Sequence, residues 1–250
     1  MLLLSAGVPE SRETLQSTGT TPPPVLAAEA PEEEYTELTS GAVPIVEETK
    51  PTILPELAEK AAQNPDLAGW IRIDGTKINY PLMYTPEDPE KYLHKDFGGH
   101  FSVGGLPFLD EECTLEPSSD NLLIYGHNMQ NGTMFHNLML YEQKSFWQEH
   151  PTIQVSTLYQ EKSYEVLAAL YDRVYFKSEV HFKFYQFINA ADANEFDEAI
   201  SYFREHALYD TGISAQYGDK LVTLVTCAYH VDNGRFLVVA KEITNPQSEI

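Results

Sequence analysis

Hydrophobic residues change their spacing along the chain, and these changes divide it into segments. Residues 1–52 show almost no apolar periodicity, whereas residues 53–63 repeat apolar side chains at helical spacing until Asn64-Pro65 ends the segment. Short apolar runs separated by turn residues follow, and such runs predict β-strands. The predicted strands are residues 70–73, 77–80, 106–109, 121–125, 152–157, 163–175, 221–226 and 236–243. The Asp74-Gly75 pair between the first two predicts a hairpin.

Two helical segments interrupt the predicted strands. Residues 134–150 form one, and residues 192–208 form the clearer one, with Asp192 as the expected N-cap. About eight short strands within one domain favour a barrel or a sandwich. No repeat of fixed period points to a solenoid or a propeller. The patterning therefore predicts a mainly β domain with α-helical insertions over residues 53–250.

The first 52 residues differ in composition as well as in patterning. Eight of the 16 prolines lie between Pro9 and Pro55, among Thr, Ser, Ala and Glu residues. Such a composition cannot bury enough apolar surface to offset chain entropy, so we predict an extended, solvated stalk over residues 1–52. The apolar run at residues 1–4 is too short for a signal peptide. It is either the remnant of a membrane anchor or simply the start of the chain.

The charge and the cysteine content of the chain exclude several classes of function and of partner. The chain has 250 residues, of which 16 are basic and 38 acidic, for a net charge of −22. Nucleic-acid and anionic-membrane binding depend on clustered Lys and Arg, which this sequence lacks, so neither partner is expected. Two cysteines, Cys113 and Cys227, are too few for a disulfide framework. They could form one bridge, or one of them could be a nucleophile.

Reactive side chains lie at the ends of three of the predicted strands. Cys227 ends the strand 221–226, and Arg235 opens the next strand after the turn residues 232–234. If these strands pair in antiparallel fashion, the thiol and the guanidinium face each other at roughly one strand spacing of 5 Å, and the cation favours the thiolate. His127 follows the buried strand 121–125 in the same way. A catalytic Cys-His-Arg group is one interpretation; packing, capping and surface charge are the others.

A metal site is the further alternative that the sequence raises. Cys227 and His230 have the spacing of half a zinc site, but no second pair of Cys or His residues completes it. We therefore expect no metal. Cys113 lies beside two glutamates in a predicted loop and is interpreted as an incidental thiol.

The reactive residues also lie in the motifs of a known family. Residues 223–227 (TLVTC), followed by Arg235, resemble the TLxTC…R signature of sortases, and residues 125–129 (YGHNM) resemble the sortase histidine motif. Residues 69–81 and 92–97, together with the predicted helix before the cysteine-bearing strand, resemble the class B branch. The motifs occur in the expected order, and the resemblance covers about residues 53–243.

The resemblance implies a closed, mostly antiparallel β-barrel of about eight strands, with an N-terminal helix and a helix inserted before the cysteine-bearing strand. It implies a cysteine transpeptidase in which Cys227 is the nucleophile, His127 the acid/base and Arg235 the oxyanion and substrate ligand. It also implies substrate contacts from Thr226, Val225 and Asn128. Val225 departs from the small hydroxyl residue that many relatives carry there, which puts one of these contacts in doubt.

The resemblance further implies the partners and the location. We expect an enzyme without a cofactor, a monomer on the outer face of the plasma membrane of a Gram-positive bacterium. It would cleave the sorting signal of surface or pilin proteins and transfer the acyl group to an amine. A peptidoglycan cross-bridge is the expected acceptor, and a pilin lysine is the alternative. A surface module that only binds peptide, and a cysteine hydrolase that passes the acyl group to water, remain open as other classes.

Overall fold

The computed structural model describes residues 51–244, so the stalk predicted for residues 1–52 lies almost entirely outside the described residues. The helices of the described part are α1 (Pro55–Gln63), α2 (Lys144–Glu149), α3 (Ala193–Glu205) and two 3-10 helices, Phe135–Glu142 and Phe184–Gln186. Its strands are β1 (Leu67–Arg72), β2 (Asn79–Met83), β3 (Phe108–Leu109), β4 (Asn121–Tyr125), β5 (Thr152–Thr157), β6 (Ser163–Arg173), β7 (Leu221–Cys227) and β8 (Gly234–Glu242). Between residues 51 and 244, no helix has the length and apolar character that crossing a bilayer requires.

The eight strands close into one barrel in the order β1-β2-β3-β4-β7-β8-β6-β5. The pairs β2–β3 and β4–β7 are parallel, and every other neighbouring pair is antiparallel. Closure leaves no unpaired strand edge, which is how small antiparallel sheets avoid exposing a free ladder. The prediction of a closed, mostly antiparallel barrel is confirmed.

The central strands are apolar on both faces because both faces are covered. Every residue of β4 is buried, as is every residue of β7 except Cys227, which is half-buried. One face lines the barrel interior, and the 3-10 helix Phe135–Glu142 packs against β6, β7 and β8. A strand buried on two sides needs continuous rather than alternating apolar residues. Cys227 is therefore the point at which a buried strand reaches the surface.

Helix α3 forms as its sequence predicts. Asp192 is the N-cap, and its carboxylate accepts hydrogen bonds from the backbone N–H groups of Asn194 and Glu195 at 2.9 and 3.0 Å. These contacts satisfy two donors that the first helical turn leaves free. The apolar face is buried through Phe196, Ala199, Ile200 and Phe203. The helix thus covers part of the connection between β6 and β7.

The single helix predicted for residues 134–150 is wrong. The structure has the 3-10 helix Phe135–Glu142, an extended residue Gln143, and then α2. The buried residues of the first part are Phe135, Leu138 and Tyr141, which recur every three positions. That spacing places them on one face of a helix with three residues per turn, rather than 3.6, so burial favours the 3-10 form.

Helix α1 is attached to the barrel at both of its ends. The Leu54 N–H donates to the Leu158 carbonyl at 2.7 Å, and Leu57 is buried against the barrel. At the other end, the Asn64 amide donates to the Tyr92 hydroxyl and to the Phe97 carbonyl, both at 2.8 Å. These contacts make α1 part of the folded domain.

We expect two truncations on either side of α1 to behave differently. A chain that begins at Thr52 should keep the melting temperature of the full chain, because it retains the contacts that α1 makes with the barrel within residues 52–244. A chain that begins at Pro65 loses Leu57 and Asn64, and burial of a Leu side chain alone is worth about 1.5–3 kcal/mol. Its melting temperature should fall by several degrees in a thermal melt. Equal melting temperatures would mean that the domain boundary lies elsewhere.

Candidate functional site

Cys227 and Arg235 lie opposite each other at the ends of two paired strands. In the antiparallel β7–β8 ladder, Cys227 is the partner of Arg235, as the sequence predicts. The turn between them is closed by Asn233, whose φ of 58° is left-handed, and by Gly234, whose N–H donates to the Val231 carbonyl at 3.1 Å. Directly opposed residues in such a ladder point to the same face of the sheet. The thiol and the guanidinium therefore share one face.

His127 lies beside Cys227 because β4 and β7 run parallel and in register. The last ladder pair is Tyr125 with Val225, two residues before His127 and Cys227 respectively. Hydrogen bonds continue the pairing past the ladder: the Gly126 N–H donates to the Val225 carbonyl at 3.0 Å, and the Thr226 hydroxyl donates to the Gly126 carbonyl at 2.8 Å. Three reactive side chains thus occupy the ends of three neighbouring strands.

Gly126 permits the chain to reach this position. A Cβ atom at residue 126 would lie 2.6 Å from the ring of Phe135, which is fully buried. The Phe135 N–H also donates to the His127 carbonyl at 2.9 Å, so the ring cannot move away freely. The glycine is needed here for a close approach, since no other residue leaves room for Phe135 beneath the strand end.

The ring of His127 is fixed on one side by residues 93 and 94. Its Nε2 lies 3.0 Å from the Leu93 carbonyl oxygen, and the His94 ring stacks on it with centroids 5.3 Å apart. Because a carbonyl only accepts hydrogen bonds, Nε2 carries the proton and Nδ1 is left to exchange one. Burial lowers the pKa of His127 below its ordinary value of 6.5, and His94 acts in the same direction, against the opposing effect of the Leu93 carbonyl.

The segment that holds His127 is itself anchored by Tyr92. The Tyr92 side chain is buried, and its hydroxyl donates to the Asp66 carboxylate at 2.8 Å while accepting from Asn64. Lys91 adds an ion pair to Asp66 at 2.6 Å. From the sequence, residues 92–97 are recognisable only as a family feature. The hydrogen bond between the Leu93 carbonyl and His127 is not predicted, because every residue has a backbone carbonyl and none carries a residue-specific signal.

Arg235 is a buried cation, and part of its guanidinium has no hydrogen-bond partner among residues 51–244. The residue is 5% exposed, and its Nη1 donates to the Asn233 and Gly234 carbonyls at 3.2 and 2.9 Å. Within residues 51–244, its buried Nε has no hydrogen-bond partner. A buried donor without a partner is costly, and such groups usually have a functional explanation. Nη1 is thus fixed by the turn, while the buried Nε has no hydrogen-bond partner among the described residues.

The residues predicted to contact substrate are less exposed to solvent than that role leads one to expect. Val225 and Thr226 are both buried, and the Thr226 hydroxyl is engaged with the Gly126 carbonyl. The Asn128 amide donates to the Cys227 carbonyl at 2.8 Å, and its oxygen lies 2.7 Å from His136 Nδ1. All three adjoin the Cys-His-Arg group, but their polar groups are already bonded within the protein. A direct substrate contact from any of them stays a prediction.

The second cysteine and His230 form no metal site or disulfide with Cys227 in the described part of the chain. Cys113 is a free, buried thiol whose Sγ accepts from the Leu123 N–H, and burial raises its pKa to about 12. Cys227 is also free, so no bridge joins the two. His230 packs on the Tyr171 ring with centroids 4.5 Å apart. In the described part of the chain, no three His, Cys, Asp or Glu side chains come together as metal ligands would.

The chain is similar to known proteins over most of its described residues. Residues 71–243 match the family model of the sortase domain. The sortase B of Listeria monocytogenes is 28% identical over 194 residues, which span 76% of this chain and 74% of that protein.

Two solved structures are similar in fold as well as in sequence. One is a complex of Staphylococcus aureus sortase B with substrate, with a TM-score of 0.68 and 25% identity, covering 77% of this chain and 86% of that one. The other is Clostridium perfringens sortase B, with a TM-score of 0.65 and 28% identity, covering 74% of this chain and 98% of that one.

The two thiols should react very differently with an alkylating reagent. Cys113 is 1% exposed with a pKa of about 12, so almost none of it is thiolate at neutral pH. Cys227 is half-buried at the surface and adjoins Arg235 and His127. Treatment with iodoacetamide at pH 7.5, followed by peptide mapping, should give modification of Cys227 only. Equal, slow labelling of both thiols would contradict an accessible Cys227, and a Cys227→Ala variant provides the control.

The lowered pKa of His127 should appear in the pH dependence of stability. Unfolded histidine titrates near pH 6.5, so between this value and the lower folded pKa the unfolded chain binds more protons and stability falls as pH drops. A His127→Gln variant lacks this effect. Between pH 7 and pH 5, the variant should lose less unfolding free energy than the parent in urea titrations, with parallel behaviour above pH 7.5. Identical slopes throughout would refute the shift.

Proposed function

Because the chain belongs to the sortase family and to its class B branch, we propose that Cys227, His127 and Arg235 are the catalytic residues of this cysteine transpeptidase. The single observation that carries the proposal is their position at the ends of three neighbouring strands, β7, β4 and β8. Because β7 lies between β4 and β8, the Cys227 thiol has the imidazole on one side and the guanidinium on the other, and together they supply a nucleophile, a proton carrier and a fixed cation.

In the first step, Cys227 attacks the scissile carbonyl of a sorting signal as the thiolate. The carbonyl oxygen becomes negatively charged in the tetrahedral intermediate and needs a donor that is already in place. Arg235 suits this role because Nη1 is tied to its own turn and the buried Nε is unpartnered among the described residues. An incoming oxyanion would satisfy that donor, so the interaction strengthens as charge develops.

His127 moves the protons of both steps through Nδ1. With Nε2 bonded to the Leu93 carbonyl, Nδ1 takes the proton that the Cys227 thiol loses on becoming the thiolate, and the resulting imidazolium can donate it to the leaving amine. Collapse of the intermediate then leaves a thioacyl-enzyme on Cys227. The neutral Nδ1 accepts a proton from the incoming amine, which attacks the thioester and restores the thiol. Since its pKa lies below 6.5, His127 is mostly neutral at pH 7 and ready for this second role.

Exposed apolar side chains beside the reactive group favour a peptide as the substrate. Phe176 and Val180, on the connection after β6, are 69% and 97% exposed, and Tyr229, just after Cys227, is 84% exposed. Both connections leave the barrel at the end where Asp172 pairs with Arg235 and Arg235 with Cys227. Contiguous exposed apolar surface marks interaction sites, and these three residues lie on connections at the same end of the barrel. The substrate complex of the related Staphylococcus aureus enzyme supports the same proposal.

We also propose the acceptor and the location. A peptidoglycan cross-bridge amine is the expected acceptor, with a pilin lysine as the alternative that product analysis would reveal. The enzyme would work on the outer face of a Gram-positive plasma membrane. The Pro-, Thr- and Glu-rich composition of residues 1–52 supports a spacer role for that segment between membrane and barrel.

Two substitutions test the proposed roles in a peptide-cleavage assay. Cys227→Ala should abolish cleavage of a sorting-motif peptide without lowering the melting temperature. Arg235→Lys should reduce kcat by about 10²- to 10³-fold, because a point charge cannot reproduce the planar fork aimed at the oxyanion. The matched control is Arg204→Lys on the exposed surface of α3, which should be neutral.

The outcomes separate the function classes. Normal turnover by Cys227→Ala would reject the assignment of the nucleophile, and normal turnover by Arg235→Lys would remove Arg235 from the oxyanion role. Addition of a glycine-peptide amine should convert the product from the acid to the amide. A product that remains the free acid at every amine concentration would indicate a hydrolase instead.

A further inference from the structure

We propose that Asn128 and His136 form a positioning pair that fixes the backbone of the nucleophile Cys227 relative to His127. The inference rests on the proposed function, since it assigns a role within the same site. Asn128 acts through Cys227 rather than on the substrate, so it is a positioning residue and not a catalytic one.

Both polar atoms of the Asn128 side-chain amide form hydrogen bonds. Its Nδ2 donates to the Cys227 carbonyl at 2.8 Å, and its Oδ1 lies 2.7 Å from the Nδ1 of His136. Since Oδ1 can only accept, His136 Nδ1 carries the proton and donates it. The result is a chain of two hydrogen bonds from the 3-10 helix, through Asn128, to the residue that carries the thiol.

The bond to Cys227 replaces a ladder bond that the backbone does not make. The regular β4–β7 pairing ends at Tyr125 and Val225, two residues before the reactive side chains. Asn128 continues the connection between the same two chain segments with its side chain. On the other side, the next N–H of the chain, that of Ala228, donates to the Gly234 carbonyl at 3.0 Å. The peptide group after Cys227 is therefore fixed from both neighbouring strands.

His136 fixes which way the amide faces. Without a donor at its oxygen, the Asn128 amide could rotate and offer its oxygen to the Cys227 carbonyl, which would repel it. Two backbone contacts close the loop between Asn128 and His136 and bring these residues together. The His127 carbonyl accepts a hydrogen bond from the Phe135 N–H at 2.9 Å, and Asn128 forms an isolated β-bridge with Met134. His136 follows directly and has only to turn its ring toward Asn128.

This arrangement has a kinetic consequence distinct from that of a substrate contact. A lost substrate contact raises KM, whereas a shifted nucleophile slows the attack at saturating substrate and leaves KM in place. Displacement of a reacting group by about 1 Å can cost as much as 10²-fold in rate. The sequence-based prediction of Asn128 as a substrate ligand and the positioning role therefore give opposite results.

Four variants test the pair. Asn128→Ala removes both bonds, and His136→Phe keeps a ring but removes the donor. His136→Asn returns a donor at the position of Nδ1. Asn131→Ala is the matched control, because Asn131 lies in the same loop and bonds only to Thr133 among the described residues. Each variant is measured by single-turnover acylation, by the rate of Cys227 alkylation with iodoacetamide, and by thermal melting.

We expect Asn128→Ala and His136→Phe each to lower the acylation rate by about tenfold or more at unchanged KM. The double variant should lose no more than Asn128→Ala alone, because the two residues act as one unit. His136→Asn should recover most of the rate, and Asn131→Ala should match the parent. A higher KM with a normal acylation rate, or full additivity in the double variant, would overturn the proposal.

The rate of Cys227 alkylation tests the Asn128–His136 pair independently of whether the proposed function is correct. It reports the environment of Cys227 without any peptide, so a chain that cleaves no sorting-motif peptide still gives a result. An alkylation rate altered in Asn128→Ala and His136→Phe alike supports the pair, and rates equal to that of Asn131→Ala reject it. Should Asn128→Ala fail to fold, His136→Phe and His136→Asn alone decide the question.

Discussion

The parallel, in-register pairing of β4 with β7 is the constraint on which the site depends. Antiparallel strands β7 and β8 would be enough to bring Cys227 and Arg235 together, because a short turn connects them. His127 precedes Cys227 by a hundred residues in the chain, and the β4–β7 ladder brings the end of its strand beside the end of the strand that carries Cys227. Parallel neighbours need a long crossover, and here that crossover contains α2, β5, β6 and α3. Much of the domain thus serves to connect two adjacent strands.

Around this constraint, each reactive residue has its own local support. Asn64 and Asp66 bond to Tyr92 just beyond α1, and the neighbouring Leu93 carbonyl bonds to His127. The turn at Asn233 and Gly234 binds one end of the Arg235 guanidinium. Burial of a cation is unfavourable unless it is hydrogen-bonded, and Nε, which has no partner in the described part of the chain, keeps part of that cost in the free enzyme. An oxyanion that binds there would recover it at the step where charge develops.

The sequence predicted the parts of the fold that depend on local pattern. The Asp192 cap, the apolar face of α3 and the hairpin that joins Cys227 to Arg235 each follow from spacing that neighbouring residues determine. The prediction of one helix over residues 134–150 was wrong. Buried residues recur there every three positions, which favours a 3-10 helix over an α-helix, and the extended Gln143 ends it before α2 begins.

The remaining contacts of the site depend on tertiary structure. In the sequence, Gly126 stands out only as part of the YGHNM motif, and the structure adds the Phe135 ring that requires a glycine there. Neither the Leu93 carbonyl nor the two-ended bond of Asn128 has a sequence signature. A carbonyl belongs to every residue, and an asparagine after a motif histidine looks the same whether it binds a ligand or the chain. Such contacts become visible only when the strands are paired.

The most direct test of the central claim is to locate the acyl group by mass spectrometry. The enzyme would be mixed with a sorting-signal peptide, quenched in acid before the amine acceptor is added, and digested for peptide mapping. The account predicts an intact-mass increase equal to the acyl fragment, on the peptide that contains Cys227, and its loss within one turnover after an amine is supplied. Acylation of Cys113 or of any other residue, or peptide cleavage through no covalent adduct under conditions that trap one, would contradict it.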